Sequence, residues 1–318
     1  MTRTVRDFLS AADLSGPEYG RLFALAAELR DAPPPADLAG RTLAMVFEKP
    51  SLRTRVSFET GMTQLGGHAV YLGPGDIELG RRESVADVAR TLERLVDLVM
   101  ARTFSHATVE ELARHCAVPV VNGLSDLEHP CQAAADFFTL RERRGSLDGA
   151  VFAYVGHGNN VCHSLLLAAA VLGVGFRVAC PAGYDPAPEV VARARRLAAS
   201  GFDLRVSREP SEAVRGADVL YTDVWTSMGQ EPEAAERRRA FAGFTLDERL
   251  LELARPDAVV MHCLPAHRGE EIAAGVLEGP RSVAFDQAEN RLHVQKALLL
   301  TLHRAGAARP LVERRVVA

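Results

Sequence analysis

His262-Cys263-Leu264-Pro265-Ala266-His267-Arg268-Gly269 follows the short apolar run Ala258-Val259-Val260-Met261. A run of this length and composition predicts a buried strand. The polar cluster directly after it then lies at a carboxyl strand end, where open α/β sheets bind their ligands. Cys263 is expected there beside water and ligand. A cysteine buried against a proline turn fits the same residues equally well. The rest of the chain decides between the two.

Strand and helix patterns alternate from end to end. The expected strands are Thr42–Phe47, Val96–Ala101, Val118–Asn122, Val151–Val155, Arg177–Cys180, Val219–Thr222, Ala258–His262 and Ser282–Phe285. Helical patterns fall between them, among them Ser84–Leu95, Ala133–Leu140, Val161–Leu172, Glu189–Ser200 and Leu246–Ala254. This alternation predicts parallel sheets joined by crossover helices. The polar, glycine-bearing stretch Arg143–Gly149 marks a boundary. The expected fold is α/β with two domains, residues 1–145 and 146–291, each a mostly parallel sheet flanked by helices. A last helix, about 292–318, has no sheet to continue and is expected to pack back on the first domain. A cleft between two such domains is a favoured ligand site.

The composition narrows the function. Hydrophobic residues make up 47% and charged residues 25% of 318, a globular balance. A net charge of −4 gives no reason to expect nucleic acid or an anionic membrane as partner. The arginine runs Arg193–Arg196 and Arg237–Arg239 read as solvated helix faces. Five widely spaced cysteines without a CxxC favour a reducing cytoplasm over a disulfide or zinc framework. The longest apolar run, Leu165–Phe176, is too short to span a bilayer.

After the first strand comes Glu48-Lys49-Pro50-Ser51-Leu52-Arg53-Thr54-Arg55, with Ser51 placed to open a helix. Backbone N–H groups at a helix start bind anions, and the macrodipole assists them. Ser51 and Thr54 add hydroxyls, and Arg53 and Arg55 add guanidinium forks suited to phosphate. Arg102 follows the next strand. His129 and Gln132 open the helix after a third. All three βα loops are expected at one sheet edge.

Gly156-His157-Gly158-Asn159-Asn160-Val161 resembles a dinucleotide loop, but Val161 replaces the third glycine, and no acid stands at the ribose position near Cys180. Asn159 and Asn160 instead offer amides to a small polar ligand. Asp223, at the end of Val219–Thr222, can pair with a substrate cation or cap a helix. Trp225 reads as a packing residue.

Taken together, Ser51-Leu52-Arg53-Thr54-Arg55, His129-Pro130-Cys131-Gln132, the Asn159-Asn160 pair, Asp223-Val224-Trp225-Thr226-Ser227-Met228-Gly229 and His262–Gly269 resemble the transcarbamoylases, in family order and spacing, over about residues 6–305. The Asp223–Gly229 stretch resembles the ornithine branch rather than the aspartate or putrescine branches. The resemblance implies transfer of a carbamoyl group from carbamoyl phosphate to the δ-amine of L-ornithine, giving L-citrulline and phosphate, without metal or organic cofactor. It implies an active site in the interdomain cleft, and a homotrimer or a multiple of one. It gives carbamoyl phosphate to the first domain through Ser51, Leu52, Arg53, Thr54, Arg102, His129, Gln132 and Arg291, with Cys263 and Leu264 over the reacting centre. Ornithine falls to Asn160, Asp223, Ser227 and Met228. Arg102, His129 and Cys263 are the expected catalytic residues, with Cys263 orienting the amine rather than attacking. Two positions depart from the family pattern. Leu52 lacks the usual hydroxyl, and Glu78 stands where a loop residue is often Gln. Carbamoylation of another amine, such as putrescine or lysine, is the alternative. A non-catalytic protein of this fold is expected to lack Arg53, His129 or Cys263, and all three are present.

Overall fold

The computed structural model describes residues 7–31 and 35–307. The chain divides into two compact units, one of residues 1–134 and 291–318, the other of residues 135–290. Both changeovers lie inside helices. The polar stretch Arg143–Gly149 sits at the end of the first of these helices, a few residues beyond the changeover.

The first unit runs α1 (Gly16–Asp31), β1 (Thr42–Phe47), α2 (Leu52–Gln64), β2 (His68–Leu72), α3 (Pro74–Ile77), α4 (Val85–Leu95), β3 (Leu98–Arg102), α5 (His106–His115), β4 (Val120–Leu124) and the start of α6 (Pro130–Arg144). Its four strands are all parallel in the order β2-β1-β3-β4. β1 and β3 are buried along almost their whole length, as central strands of a parallel sheet must be.

The second unit begins within α6 and continues through β5 (Val151–Val155), α7 (Asn160–Leu172), β6 (Gly175–Ala179), α8 (Pro188–Leu197), β7 (Leu204–Ser207), α9 (Pro210–Val214), β8 (Val219–Thr222), α10 (Ala234–Ala240), α11 (Glu248–Leu253), β9 (Val259–His262), α12 (Ala274–Leu277) and the start of α13 (Ala284–Ala307). Five parallel strands run in the order β7-β6-β5-β8-β9. Phe137, Phe152, Phe176, Tyr154 and Tyr221 pack ring on ring against this sheet. The later part of α13 belongs to the first unit, where Lys296 Nζ donates to the Leu29 carbonyl at 2.9 Å.

Three expectations change. Ser282–Phe285 is no strand: Ser282 makes one isolated bridge to Val260, and Ala284 already starts α13. Two edge strands, β2 and β7, went unread because their half-exposed residues break any apolar run. The run Arg237–Arg239 is not uniformly solvated. Arg237 is buried, pairs with Glu233 and donates to the Trp225 carbonyl.

Candidate functional site

The carboxyl edge of the first sheet gathers the residues expected to bind an anion. Ser51 has extended backbone and caps α2, its Oγ accepting from Thr54 N at 3.3 Å. Thr54 is fully buried, and its Oγ1 accepts from Arg291 Nη2 at 2.8 Å. This bond ties the start of α2 to α13. Leu52 is 75% exposed, so its contribution is confined to the backbone of the first helical turn.

Arg102 ends β3, where the register with β4 shifts between Ala101 and Arg102. Such an irregularity re-aims a strand-end side chain. His129 and Gln132 are both buried at the start of α6. Burial, and then the charges of Arg291, Arg102, Arg53 and Lys49, hold the His129 imidazole well below its ordinary pKa. His129 is therefore held neutral, within electrostatic reach of four basic side chains. That is an unfavourable arrangement by itself and one suited to a dianion.

Glu78 is exposed, with φ +49, and lies with Glu48, Arg81 and Phe104 around a cavity of about 520 Å³. Asp76 holds this loop by accepting from Gly73 N at 2.6 Å.

In the second unit, the ends of β8 and β9 are neighbours, with Thr222 in register with His262. Asp223 and Cys263 therefore emerge side by side. Cys263 Sγ donates to Asp223 Oδ1 at 3.1 Å, and Asn159 Nδ2 donates to Oδ2 at 2.8 Å. Asn159 also caps α7, its Oδ1 accepting from Val161 N and Cys162 N. Asn159 thus both starts the helix and orients the acid. Asn160, the residue expected from the sequence, stands half-buried at the first helical position.

Ser227 is half-buried and Met228 is 53% exposed. They lie on a turn closed by Gln230 N donating to the Ser227 carbonyl. Leu264 has φ +58, rare for a residue with a Cβ, and its N–H donates to His262 Nδ1 at 2.9 Å. That contact makes Nδ1 the acceptor, so Nε2 carries the proton toward Glu271 Oε1, 3.1 Å away.

Asp223, His262 and Cys263 place an oxygen, a ring nitrogen and a sulfur within 4.8 Å of one another. Both His262 nitrogens and the Asp223 oxygens are already engaged, so this cluster is a hydrogen-bond network rather than an open metal shell.

Two residues of these half-sites were not singled out from the sequence. Lys49 was passed over within its motif, although the chain has only two lysines, Lys49 and Lys296, and that rarity was a usable signal. Arg237 carried no signal, because a buried arginine looks like its solvated neighbours until the helix is placed.

Residues 6–142 match the family model described as aspartate/ornithine carbamoyltransferase, carbamoyl-P binding domain, and residues 148–302 match its Asp/Orn binding domain. The chain is 55% identical over 307 residues to an ornithine carbamoyltransferase of Methanoculleus marisnigri, covering 95% of this chain and 98% of that one. It is 56% identical over 308 residues to one of Acidothermus cellulolyticus, covering 96% and 99%. Among solved structures, ornithine carbamoyltransferase from Pyrococcus furiosus superposes with a TM-score of 0.92 at 49% identity, covering 95% of this chain and 98% of that one.

Proposed function

The chain belongs to the aspartate/ornithine carbamoyltransferase family, and from that premise we propose that it transfers the carbamoyl group of carbamoyl phosphate to the δ-amine of L-ornithine, giving L-citrulline and phosphate. The observation that carries this reading is the buried Asp223 carboxylate, held by Asn159 and Cys263 at the strand edge that leads into Ser227 and Met228. A fixed carboxylate suits the ammonium group of an amino-acid substrate.

Carbamoyl phosphate is taken by Ser51, Leu52, Arg53, Thr54, Arg102, His129, Gln132 and Arg291. Ornithine is taken by Asn160, Asp223, Ser227 and Met228. The attacking amine must be neutral, because an ammonium has no lone pair. As it adds to the carbamoyl carbon, charge grows on the carbamoyl oxygen. Arg102, neutral His129 and Thr54 are the donors to that oxygen. Thr54 Oγ1 already accepts from Arg291, which leaves its own proton to donate. A single donor of this kind contributes typically about 10²–10³ in rate. The carbon–oxygen bond to phosphate then breaks. Arg53 and Arg291 stabilise the leaving phosphate, which also accepts the amine proton. Cys263 orients the attacking amine through its contact with Asp223, and Leu264 stands beside it over the reacting centre.

The assembly is a homotrimer or a multiple of one. Exposed Leu52 and Val56, one turn apart on α2, and the exposed Glu78 loop support a subunit contact there. The five cysteines are free thiols, in keeping with a cytoplasmic protein. Among the described residues no helix is long and apolar enough to cross a membrane.

The test is kinetic. Purified protein forms citrulline from ornithine and carbamoyl phosphate, with kcat/KM far above that for putrescine or lysine. Equal values for the three amines would sink the ornithine assignment.

A further inference from the structure

The chain has 37 basic residues, and only two of them, Lys49 and Lys296, are lysines. Lys296 is buried and donates to the Leu29 carbonyl. Lys49 is the one lysine open to small reagents among the described residues. It stands two residues past β1, half-buried, with Nζ 5.0 Å above the ring centre of Phe104. Phe104 is itself 55% exposed and, with Glu48, lines the cavity of about 520 Å³ beside the anion-binding edge.

We infer that Lys49 is a covalent modification site whose ε-amine adds isocyanic acid, and that the resulting carbamoyl-lysine turns down the cation cluster of the first unit. The inference rests on carbamoyl phosphate being the ligand of that unit. Carbamoyl phosphate eliminates spontaneously. An N–H proton is lost, the carbon–oxygen bond breaks, and phosphate leaves with the electron pair, giving isocyanic acid. The Lys49 lone pair then attacks the carbon of HN=C=O. The carbon–nitrogen π pair takes up a proton, the ammonium loses one, and a neutral ureido group results. Nothing is oxidised or reduced.

Four features favour Lys49 over an ordinary surface lysine. The Arg102 charge acts on Lys49, Lys49 also lies within electrostatic reach of His129, and these cations concentrate anionic cyanate, from which isocyanic acid forms by protonation. The acids near it are Asp126 and Glu48, and each is also engaged elsewhere: Asp126 accepts from His106 N, and Glu48 from Phe104 N. Burial on the Phe104 ring, and then Arg102, bring its pKa down to about 8. At neutral pH about a tenth of Lys49 then carries a lone pair, against under one part in a thousand for an unperturbed lysine. The arginine-rich surface offers no competing lysine, and a guanidinium stays protonated.

The test uses full-length protein treated with potassium cyanate at neutral pH, beside a short lysine-containing peptide in the same tube. Peptide mass spectrometry reads the gain of one HNCO. Lys49 is expected to react about tenfold or more faster than the peptide lysine, with Lys296 unmodified. Inorganic phosphate should slow the reaction at Lys49 and leave the peptide unaffected. The modified protein should bind carbamoyl phosphate about tenfold or more weakly by calorimetry. In Lys49→Arg, the ratio of treated to untreated activity should stay near one. Slower reaction at Lys49 than at the peptide overturns the site. Modification that leaves carbamoyl phosphate affinity unchanged overturns its effect. Untreated protein that fails to bind carbamoyl phosphate would instead defeat the functional reading, and phosphate protection would still decide whether Lys49 belongs to an anion site.

Discussion

Cys263 Sγ donates to Oδ1 of Asp223 across 3.1 Å, joining two residues forty apart in the chain. The contact is attractive because the sulfur carries a proton toward a carboxylate. A serine at 263 can donate in the same direction, and an alanine cannot. Cys263→Ser is expected to keep part of its activity, with a modest rise in KM for ornithine. Cys263→Ala loses the donor and leaves Asp223 less well held, at about 1–3 kcal/mol. Steady-state kinetics on both variants checks the order. Recovery of a carbamoylated Cys263 from a rapid quench would replace orientation with covalent catalysis.

Gly158, one of the glycines that gave this loop its likeness to a dinucleotide loop, is required here by packing. A Cβ at this position would meet Pro186 N at 2.2 Å and the Asp185 carbonyl carbon at 2.5 Å. The glycine therefore admits the 185–186 backbone, not a pyrophosphate. Gly158→Ala has to push the Asn159 cap away from Asp223. We expect lower thermal stability together with a loss of ornithine affinity. A variant with wild-type Tm and KM would show that the loop yields freely.

Much of this site was legible in the sequence because it sits at strand ends. A buried parallel strand is a run of apolar residues, and the polar residue that ends it is visible without an alignment. Arg102, Asp223 and Cys263 all stand at such strand ends. Edge strands β2 and β7 lacked that signal, since one face meets water. Nor could Asn159 and Asn160 be told apart. Both are amides at a helix start, and only the backbone turn decides which one caps α7 and which one begins it. Ser282–Phe285 misled because Val283 and Ala284 are buried at a helix start, which has the same short apolar pattern as a strand.

The Thr54–Arg291 bond gives a second measurable link. Both side chains are buried, and Arg291 Nη2 donates to Thr54 Oγ1 at 2.8 Å. Thr54→Val conserves shape and removes the acceptor, which takes a partner from a buried guanidinium. The expected loss is about 1–3 kcal/mol in stability, with a larger fall in kcat, since the proposed donor to the carbamoyl oxygen also disappears. Thr54→Ser should restore most of both. Chemical denaturation and turnover on the two variants check this.

His129 and His157 should remain neutral where ordinary histidines titrate. Burial is the first cause for both; nearby arginines add to it, and His157 is brought down to about 4. In each case the unfolded chain takes up a proton near the ordinary value while the folded chain does not. Their contribution is fully present above about pH 6.5 and is lost as pH falls below it, for His157 down to about pH 4. Stability should therefore drop across that window. NMR of the ring carbons should show neither histidine titrating near pH 6.5. A bound phosphate should move His129 upward, because its charge opposes that of the surrounding arginines. A free-protein titration of His129 near 6.5 would remove the surrounding cations from the account.

Assembly is the remaining expectation. α2 carries Leu52 at 75% and Val56 at 51% exposure, one turn apart, a pairing that a lone subunit gains nothing from showing to water. The Glu78 side chain is exposed on a loop closed by Asp76 accepting from Gly73 N, while its neighbours Ile77 and Leu79 pack on the first unit's core. A closed ring of three uses two different patches of each subunit, so one patch can complete the neighbour's site. Glu78→Ala should alter the KM for carbamoyl phosphate without changing the fold. Leu52→Asp places a charge on the apolar pair and should shift sedimentation toward smaller species, with activity falling in parallel. A chain that sediments as a monomer on dilution and keeps full activity would show that each subunit completes its own site.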